Sequence, residues 1–102
     1  MGSYRIIIST PAQEDIASCV SFVLKVSKEA ATCLKNEILS SIDSLSFFPE
    51  RNPLFNMPIN FSYPIRKLII NKRYVALYSI ESENVVVYRV IDSRKQFNSL
   101  VE

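Results

Sequence analysis

The chain has 102 residues, 48% hydrophobic and 22% charged, with a net charge of +2. That is the composition of an ordered globular protein, long enough for one core and too short for a substrate domain beside a cofactor domain. With no histidine and one glycine, Gly2, it lacks Ser-His and Cys-His nucleophile systems, most zinc sites and any Gly-rich phosphate loop.

In chain order, Tyr4 to Ser9 is a β-branched run that predicts a first strand. Thr10-Pro11-Ala12-Gln13 follows as a helix start, with Thr10 as N-cap, Pro11 at the first helical position and Gln13 closing a capping box. Behind it Ile16, Cys19, Val20, Val23 and Val26 keep helical spacing. Ser27 caps a second helix in which Ala31, Leu34, Ile38, Ile42, Leu45 and Phe48 recur every three or four residues, until Pro49 stops it. Two amphipathic helices with a tight connection predict an antiparallel hairpin with one shared apolar side. Cys19 and Cys33 fall on that side, as free thiols acting as small hydrophobes.

Residues 49–62 carry Pro49, Pro53 and Pro58 among asparagines and read as an ordered loop. Leu54, Phe55, Met57 and Phe61 are too apolar for a free linker, so the loop is expected against the core or a partner. Strands follow at about 63–71, 73–81 and 84–92, with turns at Asn71-Lys72 and Glu83-Asn84. Ser93 to Glu102 reads as a terminal turn of helix. Nothing marks a repeat or a boundary, so residues 1–102 are expected to form a single α+β domain. Its architecture is an N-terminal strand, a two-helix hairpin and a three-stranded antiparallel meander, forming one sheet packed on the helices.

Split by their two-residue period, these strands are apolar on both faces. The run at 63–71 puts Ile65, Lys67 and Ile69 opposite Arg66, Leu68 and Ile70. The next puts Tyr74, Ala76, Tyr78 and Ile80 opposite Val75, Leu77 and Ser79. The last puts Val85, Val87, Arg89 and Ile91 opposite Val86, Tyr88 and Val90. One helical hairpin covers one face, which leaves an apolar surface rimmed by Arg66, Arg89, Arg94 and Lys95. Exposing it costs about 25 cal/mol per Å², so a partner, a second copy or the chain's own terminal segment should cover it.

Charge is uneven. Residues 1–61 hold five bases and six acids, net −1, and residues 62–102 hold seven bases and four acids, net +3. A basic strand half points to a local anionic target. The acids, Glu81 and Glu83 among them, lie at helix surfaces and turns without the clustering a metal-dependent nuclease needs, so no metal and no cofactor are expected. What remains is Arg, Lys and Tyr on strands, which suits phosphate binding and base stacking. Arg66, Lys67, Lys72 and Arg73 also fit a solvated edge and turn. Arg89, mid-strand in an apolar run, needs either a carboxylate or a phosphate. No apolar run reaches the length of a membrane span, and Ile6 occupies the position where myristoylation needs Ser or Thr. A cytoplasmic protein with no membrane partner is the expectation.

The pattern resembles the RelE/ParE toxins of bacterial type II toxin-antitoxin modules over nearly the whole chain. Tyr4 to Ile16 resembles the opening strand and helix start, and Leu45-Ser-Phe-Phe-Pro-Glu-Arg-Asn-Pro53 the end of the second helix. Ile65 to Leu68 and Arg73 to Tyr78 resemble the central hairpin, and Val87 to Arg94 the last strand and basic turn. The resemblance implies a cognate antitoxin whose disordered segment folds over the toxin. It also implies one of two activities. RelE-like members cleave mRNA on the ribosome without metal, which would make Arg66 and Arg94 the phosphate-holding residues, with Lys67, Lys95 and Tyr88 in charge stabilisation and stacking. ParE-like members inhibit DNA gyrase without nuclease chemistry, and Arg89, Lys72 and Arg73 are then candidates for target contact. Val75 stands where the best-studied nucleases have arginine, Leu68 where they have lysine, and Ser93 and Phe97 where some have His and Tyr. The mRNA-cleaving reading leads, gyrase inhibition is the alternative, and a non-toxic RNA-binding or regulatory module is a third.

Overall fold

The computed structural model describes residues 3–55 and 63–93. Strand β1 (Arg5–Ile8) leads into helices α1 (Thr10–Leu24) and α2 (Lys28–Asp43). Two 3-10 turns, Ser44–Ser46 and Pro49–Arg51, precede strands β2 (Arg66–Ile70), β3 (Tyr74–Glu81) and β4 (Asn84–Asp92). The four strands form one sheet in the order β1-β4-β3-β2. β1 runs parallel to β4, and the meander β2-β3-β4 is antiparallel. The expected strand, helical hairpin and meander are all present.

Local chemistry moves several boundaries. The cap of α1 is Ser9, not Thr10: its hydroxyl accepts the Ala12 N–H at 3.2 Å and donates to the Tyr88 carbonyl at 2.9 Å. Ser9 N–H meanwhile continues the sheet by donating to Val87 O. Tied to β4, Ser9 keeps the extended backbone an N-cap needs, so Thr10 becomes the first helical residue. The Gln13 amide then bonds the Ile8 carbonyl at 2.9 Å. Ser27 caps α2 as expected, accepting from Ala30 N–H. That helix ends at Asp43, five residues short of Phe48, because the chain tightens into a 3-10 turn and Phe47 becomes extended. The β3-β4 turn is Ser82-Glu83, one residue earlier than expected, since Asn84 pairs with Glu81. In the β2-β3 turn Asn71 and Lys72 take φ of 54° and 57°, closed by Arg73 N–H to Ile70 O.

The core lies between the helices and one face of the sheet. Ile16 of α1 and Leu34, Ile38 and Ile42 of α2 pack with Leu68, Ile70, Tyr74, Ala76, Tyr78, Val85, Val87 and Val90. Cys19 is half-buried against this core, whereas Cys33 points outward and is exposed, contrary to the apolar side its spacing implied. The alternation in β4 also fails once. Leu77 pairs with Arg89 and Tyr78 with Val87, so Tyr88 is the extra residue of a β-bulge. Val90 thereby joins Val85 and Val87 on the helix side. Tyr88 and Ile91 go to the second face, where they join buried Ile65, Val75 and Leu77 and half-buried Phe55. Among the described residues, no helix is long and apolar enough to cross a membrane.

Tyr78 ties this core to the loop after α2. Its ring is fully buried, its hydroxyl donates to the Pro49 carbonyl at 2.7 Å, and Asn52 Nδ2 donates to it at 3.1 Å. Burial raises its pKa above the usual tyrosine value. A raised folded-state value gives stability that is complete below the unfolded pKa and lost as pH rises through the folded one. Unfolding free energy from urea titration should therefore fall as pH rises above the unfolded tyrosine value of about 10. Tyr78→Phe should lower it by about 1–2 kcal/mol at neutral pH and flatten that alkaline decline. An unchanged decline would contradict this role for Tyr78.

Candidate functional site

Arg66 opens β2 and reaches back over the loop after α2. Its Nη1 donates to the Asn52 carbonyl at 2.6 Å and the Glu50 carbonyl at 3.1 Å. Pro53–Phe55 lies beside it along the β2 edge, through Lys67 N–H to Pro53 O, Phe55 N–H to Ile65 O and a bridge between Leu54 and Arg66. The expected ordered loop is real here, and Phe55 packs on the second face while Leu54 stays exposed. Met57 and Phe61 lie outside the described residues.

Arg89 meets a carboxylate. Its Nε and Nη2 donate to the two oxygens of Asp15 at 2.7 and 3.0 Å, and Val90 N–H donates to the same carboxylate at 2.9 Å. Beyond the end of β1 the edge of β4 is open, and Asp15 on α1 closes it. This bidentate contact also holds the Arg89 pKa above its ordinary value. Arg73 pairs with Asp92 at 3.3 Å and lies over the Tyr74 ring, 5.1 Å from its centre. Lys67 is half-buried and lies opposite Leu77, so it leaves the sheet on the second face. Lys72 is exposed in the turn. These two lysines make no side-chain hydrogen bond or ion pair among the described residues. Arg94 and Lys95 lie outside them.

On the second face, two donors converge on Glu81. The hydroxyls of fully buried Ser79 and half-buried Tyr88 both donate to its Oε2. Burial first, and then the bond to Glu81, raise the Tyr88 pKa, so its phenol is a bound proton donor at neutral pH. The structure thus brings Lys67 and Tyr88 to one face while holding Arg66, Arg73 and Arg89 in separate internal contacts. Among the described residues no group of His, Cys, Asp or Glu could hold a metal ion.

A second unusual feature follows α2. Phe48 is left-handed, with φ 49° and ψ 56°, a conformation that costs a bulky residue about 1–2 kcal/mol and is unusual before proline. Arg51 holds it. Nη1 donates to the carbonyls of Ser44, Phe47 and Phe48, and Nη2 to Ser44 Oγ. Phe47 and Phe48 remain 67% and 68% exposed.

Sequence reasoning missed Asp15, Glu81 and Arg51. Asp15 lies 74 residues from Arg89, so no local spacing links them, and Phe48 carries a signal of the wrong sign because pre-proline residues favour extended backbone. Glu81 was readable only as a turn acid, because the Tyr88 hydroxyl reaches it through the β4 bulge, although Ser79 lies just two residues before it.

The family described as "ParE toxin of type II toxin-antitoxin system, parDE" matches residues 6–97. No curated protein matches the chain. Among solved structures, a chain of the chromosomal ParDE TA system from P. aeruginosa superposes with a TM-score of 0.70 at 13% identity, covering 88% of this chain and 96% of that one. A chain of the toxin-antitoxin complex RelBE2 from Mycobacterium tuberculosis gives 0.51 at 21% identity, covering 90% and 93%. At such identities the two structures speak to the fold.

If Arg66 serves the loop, Arg66→Ala should lower unfolding free energy by about 1–3 kcal/mol, as loss of charge-assisted bonds does. Asp15→Ala should cost about 1–2 kcal/mol, since it frees both Arg89 and the Val90 N–H. Urea titration of the two variants checks both, and an Arg66→Ala protein as stable as the parent would leave its guanidinium available for a ligand.

Proposed function

Because the chain belongs to the ParE toxin family of type II toxin-antitoxin systems, we propose that it arrests growth by binding a protein target in the cytoplasm, DNA gyrase, without cleaving RNA. One observation carries this choice. The guanidinium of Arg66, which a nuclease would aim at the scissile phosphate, is donated to the Glu50 and Asn52 carbonyls. Arg73 and Arg89 are likewise engaged with Asp92 and Asp15. Metal-free cleavage needs cations converging on one phosphate beside a proton acceptor; among the described residues Arg66, Arg73 and Arg89 are held in separate contacts. Val75, where the nucleases carry arginine, is buried on the second face.

An antitoxin encoded alongside silences the toxin in this reading. Its folding segment covers the second face, where Ile69 and Tyr63 are exposed beside half-buried Phe55, Tyr88 and Ile91. Arg94 and Lys95 supply further contacts to the target, and neither metal nor cofactor takes part.

Induced expression without antitoxin separates the outcomes. The expected result is filamentation with DNA-damage signalling while early translation stays normal, together with inhibition of supercoiling by purified gyrase. Rapid loss of translation with mRNA cut at codon boundaries would replace the gyrase reading by the nuclease one. Normal growth at confirmed soluble expression would overturn both.

A further inference from the structure

We propose that Glu81 and Lys67 are the charged contacts by which the second face recognises the antitoxin: Glu81 binds an Arg or Lys of the covering segment, and Lys67 an Asp or Glu. The inference rests on the reading that an antitoxin segment covers this face, and it adds that segment's chemistry and direction. Glu81 receives the Ser79 and Tyr88 hydroxyls through one oxygen, Oε2. A neutral amide oxygen can hold both, whereas a carboxylate leaves a second oxygen and a charge for a further donor. Among the described residues Oε1 of Glu81 takes no hydrogen bond, and neither Glu81 nor Lys67 is in an ion pair. Both are half-buried. Ile7, Tyr63 and Ile69 are 41%, 43% and 58% exposed on the same face, and a segment that covers them takes water from both charges. A charge stripped of water is tolerated only when paired, so the segment brings the opposite ones.

The neighbouring charges agree in sign. Arg5 pairs with Asn84 and Asn84 with Glu81, so Arg5 shares the row of Glu81 two strands away. It is exposed, as is Glu83 in the adjoining turn, and Arg5 against Glu81 and Glu83 leaves this end of the face net negative. Towards the β2-β3 turn Arg73 is offset by Asp92 and Arg66 is turned to the loop carbonyls, while Lys67 and exposed Lys72 leave that end positive. Lys67 pairs with Leu77, four residues before Glu81 on β3, which sets the two charges about 14 Å apart. An extended segment spans that distance in about four residues and a helix in about nine. The negative end repels phosphates, so nucleic acid does not fit. A second copy of this chain does not fit either. Three side chains of about 200 Å², each about half exposed, offer on the order of 300 Å², against the ~800 Å² per partner of a stable dimer. A linear segment makes up the difference by continuing past the sheet.

Two variants test the proposal. Glu81→Gln keeps an acceptor for Ser79 and Tyr88 and removes the charge, and Lys67→Met removes the charge of a residue with no internal partner. Each purified toxin is titrated by calorimetry with the purified antitoxin encoded alongside. Each variant should bind about tenfold or more weakly than the parent, while the melting temperature of the free toxin stays close to the parent's. Each Arg and Lys in the antitoxin's toxin-binding half is then changed to Gln. One of these changes should weaken binding to the parent about tenfold and to Glu81→Gln hardly at all, as loss of a directly paired base does. A structural role for Glu81 leaves every such change with the same effect on both toxins, and that result overturns the proposal. Unchanged affinity in Glu81→Gln also overturns it while the antitoxin reading stands, by placing the cover elsewhere. If Glu81→Gln does not fold, Lys67→Met decides by the same criterion. A free parent toxin that is a dimer in the ultracentrifuge, and a monomer in either variant, overturns it in favour of a second copy. Failure of the parent to bind the antitoxin removes that reading and the proposal with it.

Discussion

Everything in this fold follows from burying β3 on both faces. Six consecutive residues, Tyr74 to Ser79, are removed from water, so the strand needs cover above and below. α1 and α2 supply one layer through Ile16, Leu34, Ile38 and Ile42. On the other side Ile65, Phe55, Tyr88 and Ile91 close over Val75 and Leu77, and the bulge in β4 delivers Tyr88 there. A buried strand also carries polar atoms that must be matched, or each costs about 1–3 kcal/mol. The Tyr78 hydroxyl finds Pro49 and Asn52, and the Ser79 hydroxyl finds Glu81. No buried side-chain polar atom among the described residues is left without a partner.

That requirement spreads outward and decides what the basic half of the chain is free to do. Asn52 and Glu50 are held near Tyr78, and their carbonyls in turn take Arg66. The open edge of β4 beyond β1 is closed by Asp15, and Asp15 takes Arg89. The net +3 of residues 62–102 therefore overstates the charge available to an anionic ligand. The proposed inhibition would then depend on shape and apolar contact more than on charge.

Much of the architecture is legible in the sequence because it rests on local periodicity. The spacing of Ala31, Leu34, Ile38 and Ile42 makes α2, and the two-residue period of Ile65 to Ile70 assigns the faces of β2 correctly. The misread places are those where a distant group intervenes. Ser9 rather than Thr10 caps α1 because β4 holds it, and α2 stops before Phe48 because Arg51 stabilises a different turn. In β4 the bulge reverses the phase after Val87, which no alternation of residues 84–92 could disclose. The site residues are harder still. Arg66 and Arg73 read as edge and turn residues because their partners, backbone carbonyls and Asp92, come from other segments, and the carboxylate that Arg89 needs, Asp15, lies 74 residues away.

Whether these arginines are withheld from phosphate can be measured directly by titrating single-stranded RNA against the purified protein over a range of salt concentrations. The slope of log affinity against log salt counts the phosphates neutralised, at about 0.7 per contact for single strands. Internal commitment of Arg66, Arg73 and Arg89 predicts weak binding with a slope corresponding to about one or two contacts. Tight binding whose slope corresponds to about five or more contacts would show that the arginines leave their internal partners for RNA, and would contradict a toxin that acts by protein contact.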